Sequence, residues 1–263
     1  MSTWEQLTQE LDCWERRGAT ATFWWRDDDA VDDTPRLDRL LKQAGGVPLA
    51  LAVIPGLATR HLATRLAALA SVVVLQHGWR HDNHAPGGHN EYPASRSMVD
   101  VSQELADGRR VLKSLFGPQA IPVFAPPWHG FDACFLPLLR HNGLTGISRK
   151  GPRPGQFAAE DIVQVNAHVA PIKWSSPPSF GDDESYLDQT IDHLRGRRLG
   201  RYDVTEATGL LTHHLAQNEK SYAFIARFIA AVSAHPACAW MDAANMFSAR
   251  TVVDDPAGRT NRD

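Results

Sequence analysis

The sequence predicts an α/β fold, a distorted (β/α) barrel of about seven parallel strands. Three observations carry this. Short apolar runs alternate with longer amphipathic stretches along the 263 residues. Hairpin signals between them are almost absent, so successive strands need crossover helices. About seven or eight such units fill the chain, enough for a closed or nearly closed barrel. A doubly wound open sheet satisfies the same alternation.

The elements follow in order. Residues 2–17 read as a helix, with Trp4, Leu7, Leu11 and Trp14 spaced by three and four. Residues 20–25 (TATFWW) read as a buried strand, and residues 34–44 as a helix with Pro35 in its first turn. VPLALAVIP, from Val47, is a second strand; residues 58–70 are helical; SVVVLQ (71–76) is a third strand. A polar loop rich in Gly, Pro and His runs from His77 to about Tyr92. Residues 97–116 form a long helix stopped at Gly117-Pro118. Further strands are expected at 121–126, 145–148, 162–165, 208–212 and 237–241, with helices at 131–142, 184–198 and 219–234. Residues 150–156 and 175–183 read as irregular. One domain over residues 1–250 is expected, followed by a polar, disordered tail over 251–263.

Composition narrows the function. A net charge of -3 without a long basic run excludes an electrostatic footprint for nucleic acid. No apolar stretch is long enough to span a bilayer, so no membrane partner is expected. The N-terminal residues lack an apolar segment of the secretory type, which gives a cytoplasmic expectation. The three cysteines, Cys13, Cys134 and Cys238, are far apart and read as buried small hydrophobes. Oligomeric state is left open.

In parallel α/β folds the polar residues just past the strand ends form the site. After the first strand stand Arg26, Asp27, Asp28 and Asp29. Adjacent carboxylates repel, and a cation among them relieves the strain; a solvated turn explains the run equally well. After the third strand come His77 and His81, an H-x-x-x-H spacing that lets two imidazoles converge on one point. His84 lies close behind as a weaker candidate. Two histidines and a carboxylate leave metal positions open for water and substrate. After the fourth strand, Pro126-Pro127-Trp128-His129 fixes the backbone and aims an amide, or is simply a stiff loop. After Leu211-Thr212 come His213 and His214, placed to protonate a leaving group or to serve the structure. Trp24, Trp25, Trp79, Trp128 and Trp174 lie in or near these segments. At least one of Trp24 and Trp25 belongs to the core, because adjacent strand residues face opposite ways.

Together these segments resemble the polysaccharide deacetylases, the NodB-homology family of carbohydrate esterases, from about Thr20 to His214. The resemblance implies hydrolysis of N-acetyl or other acyl groups on a carbohydrate or small amide by metal-activated water. It implies one divalent metal, most readily Zn2+, on Asp29, His77 and His81. It makes Asp28 the base, His213 the general acid and the Trp128 N–H an oxyanion donor. Trp79, Pro127, His129 and Trp174 are then expected against the substrate. Asp27, Arg26, His84 and His214 are less direct candidates, and the acidic register can shift by one, to Asp27 and Asp28.

This chain departs from the family pattern at three places. Gly78 replaces the hydroxyl residue of H-[ST]-x-x-H. Ala125 stands where the family has an arginine orienting the base, leaving Arg26 as a substitute. The later Asp-Trp motif has only an echo in Asn166-Ala167-His168 and Trp174. Family members usually act on cell-wall or chitin-like polymers; a small or oligomeric soluble N-acylated carbohydrate is the expectation here. Two other classes compete, a non-catalytic sugar-binding or regulatory relative and a mononuclear iron oxygenase with a two-His-one-carboxylate triad.

Overall fold

A computed structural model of the chain describes residues 2–248. The tail expected at 251–263 lies outside the described residues. The elements are α1 (Trp4–Arg16), β1 (Ala21–Ala30), α2 (Pro35–Ala44), β2 (Leu49–Val53), α3 (Arg60–Leu66), β3 (Val72–His77) and α4 (Met98–Phe116). They continue as β4 (Ala120–Ala125), α5 (Leu136–His141), β5 (Gly146–Ile147), β6 (Phe157–Ala159), β7 (Ile162–Gln164), α6 (Asp183–Arg198), β8 (Thr208–Thr212), α7 (Glu219–Ala234), β9 (Cys238–Trp240) and α8 (Ala243–Ser248). Helix starts follow local chemistry. Thr3, Thr34, Thr59, Ser97, Asp182 and Asn218 each accept a first-turn amide with a side-chain oxygen.

The sheet runs β6-β7-β5-β4-β3-β2-β1-β8, every pair parallel except β6 with β7, and β9 joins β1 beside Ala21–Phe23. The β6–β7 pair is a hairpin that periodicity did not reveal. Residues 131–142, expected as one helix, contain a 3-10 turn at Ala133–Phe135 before the shorter α5. β1 extends to Ala30, so the acidic run belongs to the strand.

The ring closes through the stretch after β7. Val165 N–H donates to Ile147 O (3.2 Å) and Ala167 N–H to Arg149 O (3.0 Å). On the other side His168 N–H donates to Gly209 O and Leu211 N–H to Val169 O, both at 2.7 Å. β1, β2, β3, β4, β5, extended β7 and β8 therefore form the seven-stranded distorted barrel, rather than an open sheet.

Both faces of the strands are covered, which is why β2 reads as an unbroken apolar run. Trp24, Ala50, Ala52, Leu75, Val123, Ala125, Val163 and Val165 cluster inside the ring. Phe23, Trp25, Leu49, Leu51 and Val53 pack outward beneath the helices. Trp24 and Trp25 are thus both core, on opposite faces. Small residues make room for the Trp24 indole: a Cβ at Gly209 would lie 2.5 Å from its Nε1, which donates to Asn166 O at 2.9 Å.

Glu206 pins the closing stretch. It is fully buried and accepts the amides of Asn166 (3.0 Å) and Arg153 (2.9 Å), with the His168 and His193 rings stacked beside it. Burial pushes His193 down to about 4 and lowers His168, while those imidazoles hold Glu206 down to about 2 despite its burial. A histidine depressed by folding contributes stability that is present above its unfolded pKa of ~6.5 and lost as pH falls through the folded value. Acidification from pH 6.5 to 4 should therefore destabilise the fold by about 3 kcal/mol through His193. Urea unfolding at stepped pH should give a shallower acid slope for His193→Phe than for the parent; equal slopes would remove His193 as the cause.

Candidate active site

The barrel mouth is built at the C-terminal strand ends, and a bulge in β1 decides what faces it. Asp27 aligns with Leu51 of β2 and Ala30 with Val53, so β1 carries one extra residue there. Asp29 takes φ 70. In a regular strand Asp28 and Asp29 would face opposite sides; the bulge lets both serve the mouth. Asp27 turns the other way, accepting the Thr212 hydroxyl at 2.6 Å and the His214 amide at 3.0 Å and pairing with His214 Nδ1. Trp25 Nε1 donates to the same Thr212 hydroxyl (2.9 Å). Asp27 and His214 thus form a buried network under the helices.

Asp29, His77 and His81 converge. Asp29 Oδ1 lies 3.1 Å from His77 Nε2 and 3.5 Å from His81 Nε2, and the three ligand atoms lie within 4.8 Å of one another. His77 Nδ1 is 2.8 Å from Ala125 O, an acceptor only, so Nδ1 carries a proton. In neutral His77, Nε2 then presents a lone pair to a carboxylate oxygen. A proton on Nε2 satisfies that contact when the ring is charged, and a metal cation can take the proton's place, because the Nε2 lone pair, His81 and the carboxylate are a suitable donor set.

Two other clusters have similar composition, His168 with His193 and Glu206, and Asp12 with Glu15 and His235. Their tautomers differ. His168 Nδ1 accepts the Gly209 amide (2.9 Å) and His235 Nδ1 the Ala237 amide (3.2 Å). Each therefore holds its proton on Nε2, pointing at a carboxylate, where a metal would need a lone pair. His168 is committed to the barrel seam, so its echo of the later Asp-Trp motif is structural.

Asp28 is braced by Arg26. Both are buried, and the guanidinium is bidentate, Nε to Oδ1 at 2.8 Å and Nη2 to Oδ2 at 3.0 Å. Arg26 Nη1 donates to Ser148 O (2.9 Å) and Oγ (2.6 Å), which locks the fork at the end of β5. Burial alone would raise the Asp28 carboxyl, but Arg26, then His77 and His213, bring it below the ordinary carboxylate range. Asp29 is also burdened by burial and is held well below that range by the hydrogen bond and charge of His77. His77 is raised by Asp28 and Asp29 against its own burial, while burial and then His77 lower His81. Burial and Arg26 push His129 down to about 3, leaving a neutral imidazole.

His213 Nε2 stands 3.9 Å from Asp28 Oδ2, and its ring meets Trp174 edge-on, centroids 4.9 Å apart. Trp174 is 62% exposed. Trp128 (φ 51) and His129 (φ 64) are consecutive left-handed residues behind the prolines, fixed by His129 N–H to Pro126 O (3.0 Å) and Gly130 N–H to Pro127 O (3.1 Å). Such backbone is disfavoured for non-glycine residues and concentrates at functional sites. The Trp128 ring packs on His81 (4.1 Å) and His89 (5.4 Å). Pro127 is buried beneath this turn and Trp79 is half-buried on the histidine loop, whereas His84 is exposed and tied back by its amide to Asn90 O. Sequence reasoning missed Ser148, His89 and Glu91, whose carboxylate accepts the amides of Trp79, Arg80 and His81. The one available sign of Glu91 was Gly78 standing where a hydroxyl residue was expected.

The mouth of this seven-stranded barrel thus brings together a group able to hold a cation, an arginine-paired carboxylate and a further imidazole. No protein-family model and no curated protein sequence matches this chain. Solved structures do. A protein from Mycobacterium smegmatis described as a polysaccharide deacetylase superposes with a TM-score of 0.60 at 16% identity, over 85% of this chain and 87% of its own. A family 4 carbohydrate esterase from Streptomyces lividans, in complex with acetate, gives 0.52 at 14% identity, over 84% and 92%. A family 4 acetyl xylan esterase from Clostridium thermocellum, in complex with a cobalt ion, gives 0.51 at 14% identity, over 86% and 90%. The fold is that of the polysaccharide deacetylases and family 4 carbohydrate esterases.

Proposed function

We propose that this chain is a metal-dependent hydrolase that removes an acetyl or related acyl group from a carbohydrate or small amide. One observation carries the reading: a triad able to hold a cation, an arginine-braced carboxylate and an imidazole share one barrel mouth. The fold shared with deacetylases and esterases supports it. Asp29, His77 and His81 are the proposed ligands. A divalent ion held there, zinc by the two-imidazole, one-carboxylate donor set, would supply Lewis acidity for the acyl carbonyl and would make an attacking water more acidic, towards a pKa of ~7. Asp28, kept ionised by Arg26, takes the proton of that water at a carboxylate oxygen. The Trp128 amide, fixed between the prolines and Gly130, donates to the oxygen on which negative charge develops. His213 gives a proton to the departing nitrogen or oxygen from Nε2, and the edge of Trp174 keeps its ring in place. Trp79, Trp128, His129 and Trp174 offer aromatic and neutral polar surface suited to a sugar ring, with Pro127 supporting them from below.

The test is an acetate-release screen of the metal-loaded protein against N-acetyl sugars, O-acetyl sugars and small acetamides. Release from N-acetyl sugars is expected, and alanine at Asp29, His77 or His81 should each lower metal content. A parent that binds metal and releases acetate from none of the substrates overturns the deacetylase reading. Full metal occupancy in all three variants overturns the triad.

A further inference from the structure

The turn that carries His81 is held by one side chain reaching back from the far end of its loop. Glu91 is 1% exposed. Its Oε1 accepts the amides of Arg80 and His81, both at 2.9 Å, and Trp79 N–H lies 3.3 Å from Oε1 and 3.2 Å from Oε2. Three successive N–H groups therefore converge on one carboxylate, an anion-binding nest filled from within the chain. Among the described residues no lysine or arginine side chain pairs with it.

Gly78 is the counterpart of this clamp. It has φ 58, and a Cβ there would fall 1.8 Å from Glu91 Oε2 and 2.6 Å from Pro127 Cγ. The carboxylate occupies the space that a side chain at position 78 would need. His81 itself has φ 63, which L-residues disfavour. That backbone brings its Nε2 within 3.5 Å of Asp29 Oδ1, and the bond from its amide to Glu91 holds it so.

We propose that Glu91 is a positioning residue for the metal ligand His81, and that Gly78 is glycine to admit the Glu91 carboxylate. The inference rests on the metal reading of Asp29, His77 and His81. Glu91 acts through the backbone of residues 79–81: it fixes the turn before any ion arrives and so spares the ordering of a loose loop on binding.

The experiment is a cobalt(II) titration of the metal-free protein, followed by absorbance and by chelator competition, with no substrate present. Glu91→Ala should bind cobalt roughly 10- to 100-fold more weakly than the parent, the range typical for groups that orient metal ligands. Glu91→Gln keeps an oxygen for the three amides and should recover most of the affinity. Gly78→Ala displaces the carboxylate and should weaken binding as Glu91→Ala does, and the double variant should be no weaker than the poorer single one. In the metal-free state, hydrogen exchange at the Arg80 and His81 amides should speed up in Glu91→Ala and not in Glu91→Gln. If Glu91→Ala does not fold, Gly78→Ala and Glu91→Gln decide by the same two readouts. Cobalt affinity within threefold of the parent in folded Glu91→Ala or Gly78→Ala, with unchanged exchange, overturns the inference and leaves the metal reading standing. A parent that binds no cobalt overturns both.

Discussion

Asp28→Asn is expected to lower turnover by roughly 100- to 10,000-fold while metal content stays at the parental level. The substitution keeps size and shape and removes only the ability to accept a proton. Asp28 does not belong to the proposed ligand triad: its two oxygens are taken by Arg26, and its nearest imidazole is His213 at 3.9 Å. Asp27→Asn should behave differently. Asp27 faces Thr212 and His214 beneath the helices, so its loss should lower the melting temperature before it touches turnover. Metal analysis and kcat measured on the same preparations separate these outcomes. If Asp27→Asn is the inactive variant and Asp28→Asn loses its metal, the acidic register is displaced by one. The same comparison applies at the next strand end. His213→Ala should lose activity, and His214→Ala should lose stability, because only His213 shares the mouth with Asp28.

Removing Arg26 should cost the fold about 3–5 kcal/mol, the range for leaving one partner of a buried ion pair uncompensated. Arg26 is 0% and Asp28 1% exposed, so little water reaches the abandoned carboxylate. Arg26→Met fills most of the volume and isolates the electrostatic loss. Arg26→Lys keeps the charge but cannot bond both Asp28 oxygens and Ser148 at once, so it should fall between Met and the parent in stability and in kcat. Denaturant unfolding of the metal-free proteins measures the first effect, and turnover at matched metal occupancy the second. An Arg26→Met protein within 1 kcal/mol of the parent and equally active would show that the fork does not brace the base.

Much of this site was legible in the sequence because its parts are local. Arg26 to Asp29, His77 with His81, Pro126 with Pro127 and Trp128, and Leu211 to His213 each sit within a few residues, directly after an apolar run. Residue type and position after a strand are short-range properties, and they carried the resemblance on their own. Other features were not legible. The β6–β7 hairpin has only three residues in each strand, too few for an alternating pattern to show, whereas the seam from Val165 to Val169 and the Glu206 cluster join residues distant in sequence. No periodicity marks the seam or the cluster, because their polar atoms answer partners supplied by other strands.

The amino-acid sequence by itself determined the alternation of strand and helix, the two-histidine and carboxylate chemistry, and which strand ends carry it. Hydrophobic period, helix caps and residue spacing suffice for that. The tertiary structure decided the rest. One extra residue in β1 and a left-handed Asp29 turned two neighbouring carboxylates to the same mouth and sent Asp27 outward. The Ala125 carbonyl chose the His77 tautomer that leaves Nε2 free for a cation, while the Gly209 and Ala237 amides chose the opposite tautomer at His168 and His235. Arg26 became the brace for Asp28 because Ser148, across the barrel, holds its other nitrogen. At His77, His168 and Arg26 the deciding atom belongs to a different strand or loop. Side-chain direction and proton position answer to that atom, and only folding brings it within hydrogen-bond distance.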